Sequence, residues 1–452
     1  MQVQDVLQLF SEKNIQKIRV GVFDIDGILR GKLLHISKVK KAIAEGFGFC
    51  NVVFGWDSSD VPYENTQVSG WHTGYPDAQA RLDPHTLRFV PWEKDLPFLL
   101  GDFSEDETGV GGVCPRTLLG KVIRETEAMG FRPVFAGELE WFNFRETPQS
   151  WADKKYRDPQ PLTPGMFGYS VLRTAQQSDF FHALFDQLHA FGIPVEGLHT
   201  ETGDGVYEAA IVYGPVLEAA DRMALCKTAV KEIAYQYGQM ASFMAKWNKA
   251  LPGCSGHIHQ SLWDRDGAQN LFYESSQAGG MSPLLEQYIA GQLYCLPHIL
   301  PMYAPTVNSY KRLVAGSWAA VSASWGVENR TAALRVVPGG PQSTRLETRV
   351  PGADANPYLS MAAALASGLY GIRHQLALKT PATKGNEYEN EANSSLPSDL
   401  HSATRAMKES PLAKELFGAD FVDHFVRTRE WEWEQYLEAV TDWELKRYFE
   451  II

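Results

Sequence analysis

Hydrophobic and polar positions change period several times along the chain, and each change marks an element. Residues 4–13 carry apolar side chains at helical spacing, and Lys17–Asp24 reads as a strand. Asp24-Ile-Asp-Gly27 signals a turn, after which Arg30-Gly-Lys32 opens a second strand. Short elements continue to Phe98-Leu-Leu-Gly-Asp102, while residues 55–85, rich in Asp, Ser, Pro, Gly and Trp, predict loop. Gly109-Val-Gly-Gly-Val-Cys-Pro115 then interrupts the pattern. Its glycines loosen the chain, and Pro115 suits the first turn of a helix over roughly 116–129. The pattern predicts a small sheet-based domain over 1–108 and a larger one over 109–452.

The larger part opens on Phe131–Phe144, an aromatic strand that carries two acids. Residues 146–168, with several prolines and charges, predict an exposed excursion. Helical patterns recur at 176–191, 218–240, 282–298 and 356–373, with strands between them. The polar stretch 381–398 predicts a surface loop, and 400–449 is helical again. Several strand signals follow one another directly, which predicts an α+β fold with antiparallel strands rather than βαβ units.

Gly253-Cys-Ser-Gly-His257-Ile-His259-Gln-Ser261-Leu262 is a glycine-punctuated turn feeding a short strand. Side chains two apart on a strand share a face. His257, His259 and Ser261 therefore form one row, with Ile258, Gln260 and Leu262 behind. Such a row can hold a metal and a phosphate edge, although two histidines on one strand also fit surface or packed positions. Glu138-Leu-Glu140 puts two like charges on one face of an apolar strand, where they repel unless a solvent edge or a cation relieves them. Carboxylate oxygens are natural ligands of Mg²⁺ or Mn²⁺. Glu201 and Glu208 flank a turn of Gly203, Asp204 and Gly205, which fits one shared ion or a polar hairpin tip. Arg345-Leu-Glu347-Thr-Arg349 alternates two guanidiniums and a carboxylate on one face. A cross-bridged ladder explains that triplet equally well. Upstream lie Asn308-Ser-Tyr-Lys-Arg312, Asn329-Arg330 and Arg335, a concentration of arginines suited to a polyanion.

Composition narrows the setting. A net charge of −12 argues against a nucleic-acid partner bound through a general basic surface. Five scattered cysteines without a CxxC pair fit a reducing cytoplasm. The N-terminus lacks a basic region followed by an apolar core, and no apolar run approaches the ~20 residues of a membrane helix. The expectation is a soluble cytoplasmic protein without a membrane partner.

Taken as an ordered set, these segments resemble the glutamine synthetase superfamily over most of the chain. The set begins with Asp24-x-x-Gly-x-x-Arg-Gly-Lys32 and Glu138-x-Glu140 and continues through Glu201, Glu208 and His257-x-His259-x-Ser261. Asn308–Arg312, Asn329-Arg330, Arg335, Arg345-x-Glu347-x-Arg349 and Ala355-Asn-Pro-Tyr358 complete it. The resemblance implies a small N-terminal β-grasp-like domain, a large catalytic domain, and a ring-shaped homo-oligomer. That oligomer is usually a dodecamer, with active sites between subunits. It implies ATP as nucleotide with two or three Mg²⁺ or Mn²⁺ ions. Glu140, Glu201 and Glu208 would hold one ion, and Glu138, His257 and Glu347 a second. His259, Ser261, Arg335 and Arg345 fall at the nucleotide. Arg312, Arg349 and Gly253 fall at glutamate, and Arg330 at the phosphoryl group in flight. The chemistry agrees, because a carboxylate must be activated as an acyl phosphate before an amine can displace phosphate.

The sequence departs from true glutamine synthetases at the flap. Their flap glutamate corresponds here to Trp318, and no acid occurs from Leu313 through Val327. An indole removes the charge partner for a small cation and supplies an apolar, π-bearing wall. Ala323-Ser-Trp-Gly326 and Gly352–Tyr358 resemble the glutamate–polyamine ligase branch, which likewise lacks that glutamate. Gly205-Val206 and Lys246-Trp247 also depart from the usual pattern, while Asp57 and Asp60 are both candidates for the ammonium-site aspartate. Tyr388 lies near the position adenylylated in some bacterial members, in a sequence that does not match theirs. The expected activity is ligation of the glutamate γ-carboxylate to an organic amine: a polyamine, alkylamine or aromatic amine. The alternatives are a glutamine synthetase using ammonia, with Asp57 in the flap's role, or a non-catalytic structural homologue.

Overall fold

The computed structural model describes residues 2–104 and 109–452, and the boundary expected after residue 108 falls on residues outside that set. The N-terminal sheet runs in the order Leu29–His35, Lys17–Phe23, Leu96–Phe103, Asp77–Leu82, Phe47–Cys50, with Arg88–Val90 also paired to Leu96–Phe103. Lys17–Phe23 pairs in parallel with Leu96–Phe103, and the remaining pairs are antiparallel. Helices Val3–Glu12 and Ile36–Glu45 seat Val6, Phe10, Val39 and Ile43 against Ile18, Val20 and Leu99. Residues 55–85 correct the sequence reading, because they contain the strand Asp77–Leu82. Its inward residues Ala78, Ala80 and Leu82 alternate with exposed Asp77, Gln79 and Arg81. Alanine carries too little hydrophobic signal to reveal that alternation.

The large sheet runs Trp325–Val327, Leu334–Val337, Arg345–Thr348, Gly256–Asp264, Phe131–Phe144, Val206–Ile211, Val195–Thr200. Gly214–Pro215 and Met240–Ser242 also pair with Phe131–Phe144. Apart from the parallel pair Trp325–Val327 with Leu334–Val337, its ladders are antiparallel, as expected. Helices Val216–Gln236, Pro283–Ile299 and Pro357–Arg373 cover one face. The last two cross at glycines: a Cβ on Gly291 would sit 2.2 Å from Ser367 O, and one on Gly371 2.0 Å from Gln287 O. A larger residue at either position would force the helices apart.

Helix Pro115–Ala128 and strand Phe131–Phe144 match expectation closely. The pattern at 176–191 forms the helix Ser178–Ala190, and a short helix, Val171–Gln176, precedes it. The C-terminal region forms helices Leu400–Glu409, Pro411–Phe417, Ala419–Glu438 and Asp442–Tyr448. The polar stretch 381–398 is more than a surface loop, since it folds around Glu387, which is 2% exposed. Among the described residues, no helix is long and apolar enough to cross a membrane.

Ion pairs staple the small sheet to the large part. Arg116 reaches Asp83 at 2.7 Å, Asp102 at 2.8 Å and Asp221 at 2.9 Å. Arg429 pairs with Asp26 at 2.6 Å, and Asn356 Nδ2 donates to the Asp24 and Ile25 carbonyls. His424 packs beside this region with both ring nitrogens buried and unpartnered. Burial lowers its pKa from 6.5 to about 4, so the folded state resists a proton that the unfolded chain accepts. His424 therefore costs nothing above pH 6.5, and its cost grows as pH falls towards 4. The loss is about 2 kcal/mol by pH 5. Urea unfolding at pH 7.5 and 5 should show that loss in the parent and not in His424→Leu; parallel losses in both would refute it.

Candidate active site

Strand register assembles the site. On Gly256–Asp264, His257 lies opposite Glu138 and His259 lies opposite Glu347. Glu140 opposes Glu208, Glu208 opposes His199, and Glu347 opposes Arg335. Directly opposed residues share a face, so these groups form one row across the sheet. On the other face Ile258 and Leu262 are buried, and Gln260 bonds to Thr348, Tyr288 and Gln292.

The row gathers into two clusters. In the first, His259 Nε2 lies 3.0 Å from Glu138 Oε1, while His257 Nδ1 lies 3.6 Å from Glu138 and 3.4 Å from Glu347. Glu347 is fully buried and pairs with Arg335 at 3.0 Å and with Arg349. One ligand atom each from Glu138, His259 and Glu347 lie within 4.8 Å of one another. His199, Glu201 and Glu208 satisfy the same condition in the second cluster. Glu140 adjoins that second cluster, its carboxylate accepting from the Ser255 N–H at 2.6 Å. The geometry thus brings together Glu138, Glu140, Glu201, Glu208, His257, His259 and Glu347 and adds His199, which the sequence reading passed over, while Asp57 and Asp60 are bonded to Trp431 and Arg30. The signal was present, because His199 and Glu201 alternate just as His257 and His259 do.

Charge makes these clusters cation-seeking. Burial raises Glu140 above the usual carboxylate range, and neighbouring Glu201 adds to the rise. Burial, with the charges of Glu140 and Glu138, pushes Glu208 up to about 6 against the hydrogen bond from His199. Burial would also raise Glu347, but His257 and Arg349 outweigh it and hold the group at about 2. Contacts from both histidines likewise overcome burial and hold Glu138 well below its ordinary value. His257 Nε2 is buried with no hydrogen-bond partner. An orphaned imidazole nitrogen among crowded carboxylates fits a divalent cation with oxygen and nitrogen ligands.

Two cavities meet at Glu138, which lines both. The first, of about 250 Å³, is lined by His259, Ser261 and Arg345 together with Gln342, Ser343 and Thr344. The second, of about 380 Å³, contains the acids of the second cluster with His257, Gly253, Arg312, Arg330 and Arg349. The exposed rings of Tyr169 and Trp318 join its wall. Tyr169 stacks on His199 at 4.4 Å, a placement that nothing in the sequence announced. Arg335 lines neither cavity and is tied to Glu347 and Glu328. Arg312 is 3% exposed, and its guanidinium donates to the carbonyls of Val350 and Arg349.

The family model described as the glutamine synthetase catalytic domain matches residues 112–448. Over 438 residues the chain is 50% identical to type-1 glutamine synthetase 2 of Dictyostelium discoideum, covering 96% of this chain and 84% of that protein. It is 35% identical to a glutamate–isopropylamine ligase of a Pseudomonas species, covering 100% of this chain and 98% of the ligase. A solved structure described as a GmaS/ADP complex superposes with a TM-score of 0.85 at 26% identity, covering 98% of this chain and 99% of that one. With a sheet that places paired acids, histidines and arginines in one row, the chain belongs to the glutamine synthetase family of ATP-dependent carbon–nitrogen ligases.

Proposed function

We propose that this protein joins the γ-carboxylate of glutamate to an organic amine through a γ-glutamyl phosphate. The observation that carries the amine is Trp318, which walls the second cavity from a segment, Leu313–Val327, without an acid. The kinship to a glutamate–isopropylamine ligase supports the same reading.

In this reading the first cavity takes ATP against His259, Ser261 and Arg345, with Arg335 close by on Glu347. Two or three ions complete the site. Glu138, Glu347 and the histidine pair would hold one, and Glu140, Glu201 and Glu208, joined by His199, a second. When bound, the ions would neutralise phosphate charge and clamp the transferring group. Arg312, Arg349 and the Gly253 backbone bind glutamate's carboxylates, and Arg330 steadies the phosphoryl group as it crosses at Glu138, the point shared by both cavities. Trp318 then excludes water and packs the carbon body of the amine.

Glutamine synthesis from ammonia is the second reading, favoured by the 50% identity to a glutamine synthetase. It needs an acid in the flap's role, and Asp57 is already engaged. One of its oxygens accepts from the Ser59 and Val61 N–H groups, and the other from Trp431 Nε1. Asp60 pairs with Arg30. A ring-shaped dodecamer in the cytoplasm belongs to the same proposal. Exposed Trp443, Phe449 and Ile452 at the C-terminus suit burial against other subunits, and light scattering would give the number.

Phosphate release from ATP with Mg²⁺ and glutamate, across ammonium, ethanolamine, isopropylamine, putrescine, spermine and aniline, tests the proposal. Turnover with an organic amine should exceed that with ammonium about tenfold or more, as a misfit of over 1.4 kcal/mol implies. Turnover with ammonium alone would overturn it. Trp318→Glu should then move preference towards ammonium. Trp318 already sits at a left-handed φ of 60°, so glutamate adds no new backbone strain there. An unchanged amine preference would place the gate elsewhere.

A further inference from the structure

The polar stretch around 380–396 wraps the segment that joins Trp318 to Arg330. Backbone bonds run from Thr383 N to Trp325 O, from Ala323 N to Ser394 O and from Leu396 N to Val321 O. Asn329 Nδ2 donates to the Thr383 and Gly385 carbonyls, and Tyr388 OH to the Ala319 carbonyl at 3.1 Å. At the centre lies Glu387. Its Oε1 accepts from Ser322 Oγ at 2.5 Å and Asn393 Nδ2 at 2.9 Å, and its Oε2 from Thr383 Oγ1 at 2.6 Å and Asn390 Nδ2 at 3.1 Å. Its own N–H donates to Thr331 Oγ1 at 3.0 Å, next to Arg330. Among the described residues no cationic side chain lies within 4.0 Å of this carboxylate.

A buried anion without a counter-ion is retained only where its hydrogen bonds are complete. Here the four donors come from both sides of the seam, Ser322 from the flap's return and the other three from the stretch that wraps it. The carboxylate therefore adds a buried side-chain tie to the backbone bonds between the two loops, where one of them carries the amine wall and the phosphoryl arginine.

We propose that Glu387 is a positioning residue that locks 319–331 in place, so that γ-glutamyl phosphate is met by amine and not by water. This rests on the acyl-phosphate reading above. In the productive step the amine nitrogen forms the bond to the acyl carbon, the carbon–oxygen bond breaks with its electron pair leaving on phosphate, and the nitrogen's proton passes to the departing phosphate or to water. A loosened flap admits water to the same carbon, returning glutamate and phosphate with ATP spent and no amide made.

Glu387→Gln and Ser322→Ala each remove part of the lock, and the serine variant is the gentler change. The phosphate released in excess of amide, divided by the amide formed, should rise about tenfold, the size expected for losing a hydrogen bond to a buried charge. Amides of 319–331 should exchange hydrogen about tenfold faster, with the large sheet unchanged. A parental ratio in both variants overturns the positioning role, and unchanged exchange overturns the lock itself. If the parent releases no phosphate with any amine, the ligase reading has failed, and exchange alone decides whether Glu387 locks the segment.

Discussion

Glu140→Ala and His257→Ala are each expected to lower glutamate-dependent phosphate release by about three orders of magnitude, whichever amine is supplied. The reason is positional. Glu140 adjoins the His199, Glu201 and Glu208 cluster, and His257 stands between Glu138 and Glu347. In the proposed assignment, removing either would leave an ion short of a ligand and the remaining carboxylates repelling across a buried space. Phosphoryl transfer depends on charge neutralisation and alignment, so partial coordination does not preserve partial rate. Calorimetric titration with Mn²⁺ gives an activity-independent check, because each variant should lose or weaken one class of bound ion. Near-normal turnover together with unchanged Mn²⁺ binding would remove the metal assignment.

Glu347→Gln is expected to cost about 3–5 kcal/mol of stability as well as turnover, although glutamine keeps the shape. The Glu347 carboxylate has no exposed surface and is the counter-charge of both Arg335 and Arg349, whose side chains are 12% and 5% exposed. The neutral amide leaves Arg335 with Glu328 alone and removes the ion pair of Arg349, in a space that also holds His257, and its NH2 faces one of the two arginines where each had an acceptor oxygen. Chemical unfolding of parent and variant at one pH measures the difference. A variant as stable as the parent would mean that the arginines find solvent or another acid, and that Glu347 serves the ion alone.

The Trp318 and Glu387 substitutions act on one flap in separable ways. Trp318→Glu is expected to change the chemistry of the wall and so the selection among amines. Glu387→Gln leaves the wall's chemistry intact and loosens its placement, so the same amine is used with more ATP wasted.

The chain's own periodicity determined much of this molecule. Alternation along Phe131–Phe144 and 256–262 separates chemistry-bearing residues from the core, because side-chain direction in a strand follows from backbone geometry alone. The long apolar patterns at 218–240, 282–298 and 356–373 locate the covering helices for the same local reason. The strand at Asp77–Leu82 was illegible because its core side is mostly alanine. Only the tertiary structure decided which acids meet. Glu138, His257 and Glu347 lie far apart in the chain, and their meeting depends on the register of three strands, which no local pattern encodes. The same holds for His199 under Tyr169 and for Glu387. The polar residues of 381–398 look like solvated loop until a partner segment brings their donors around one buried carboxylate, because hydrogen-bond satisfaction is a property of the assembled neighbourhood rather than of the residues that supply it.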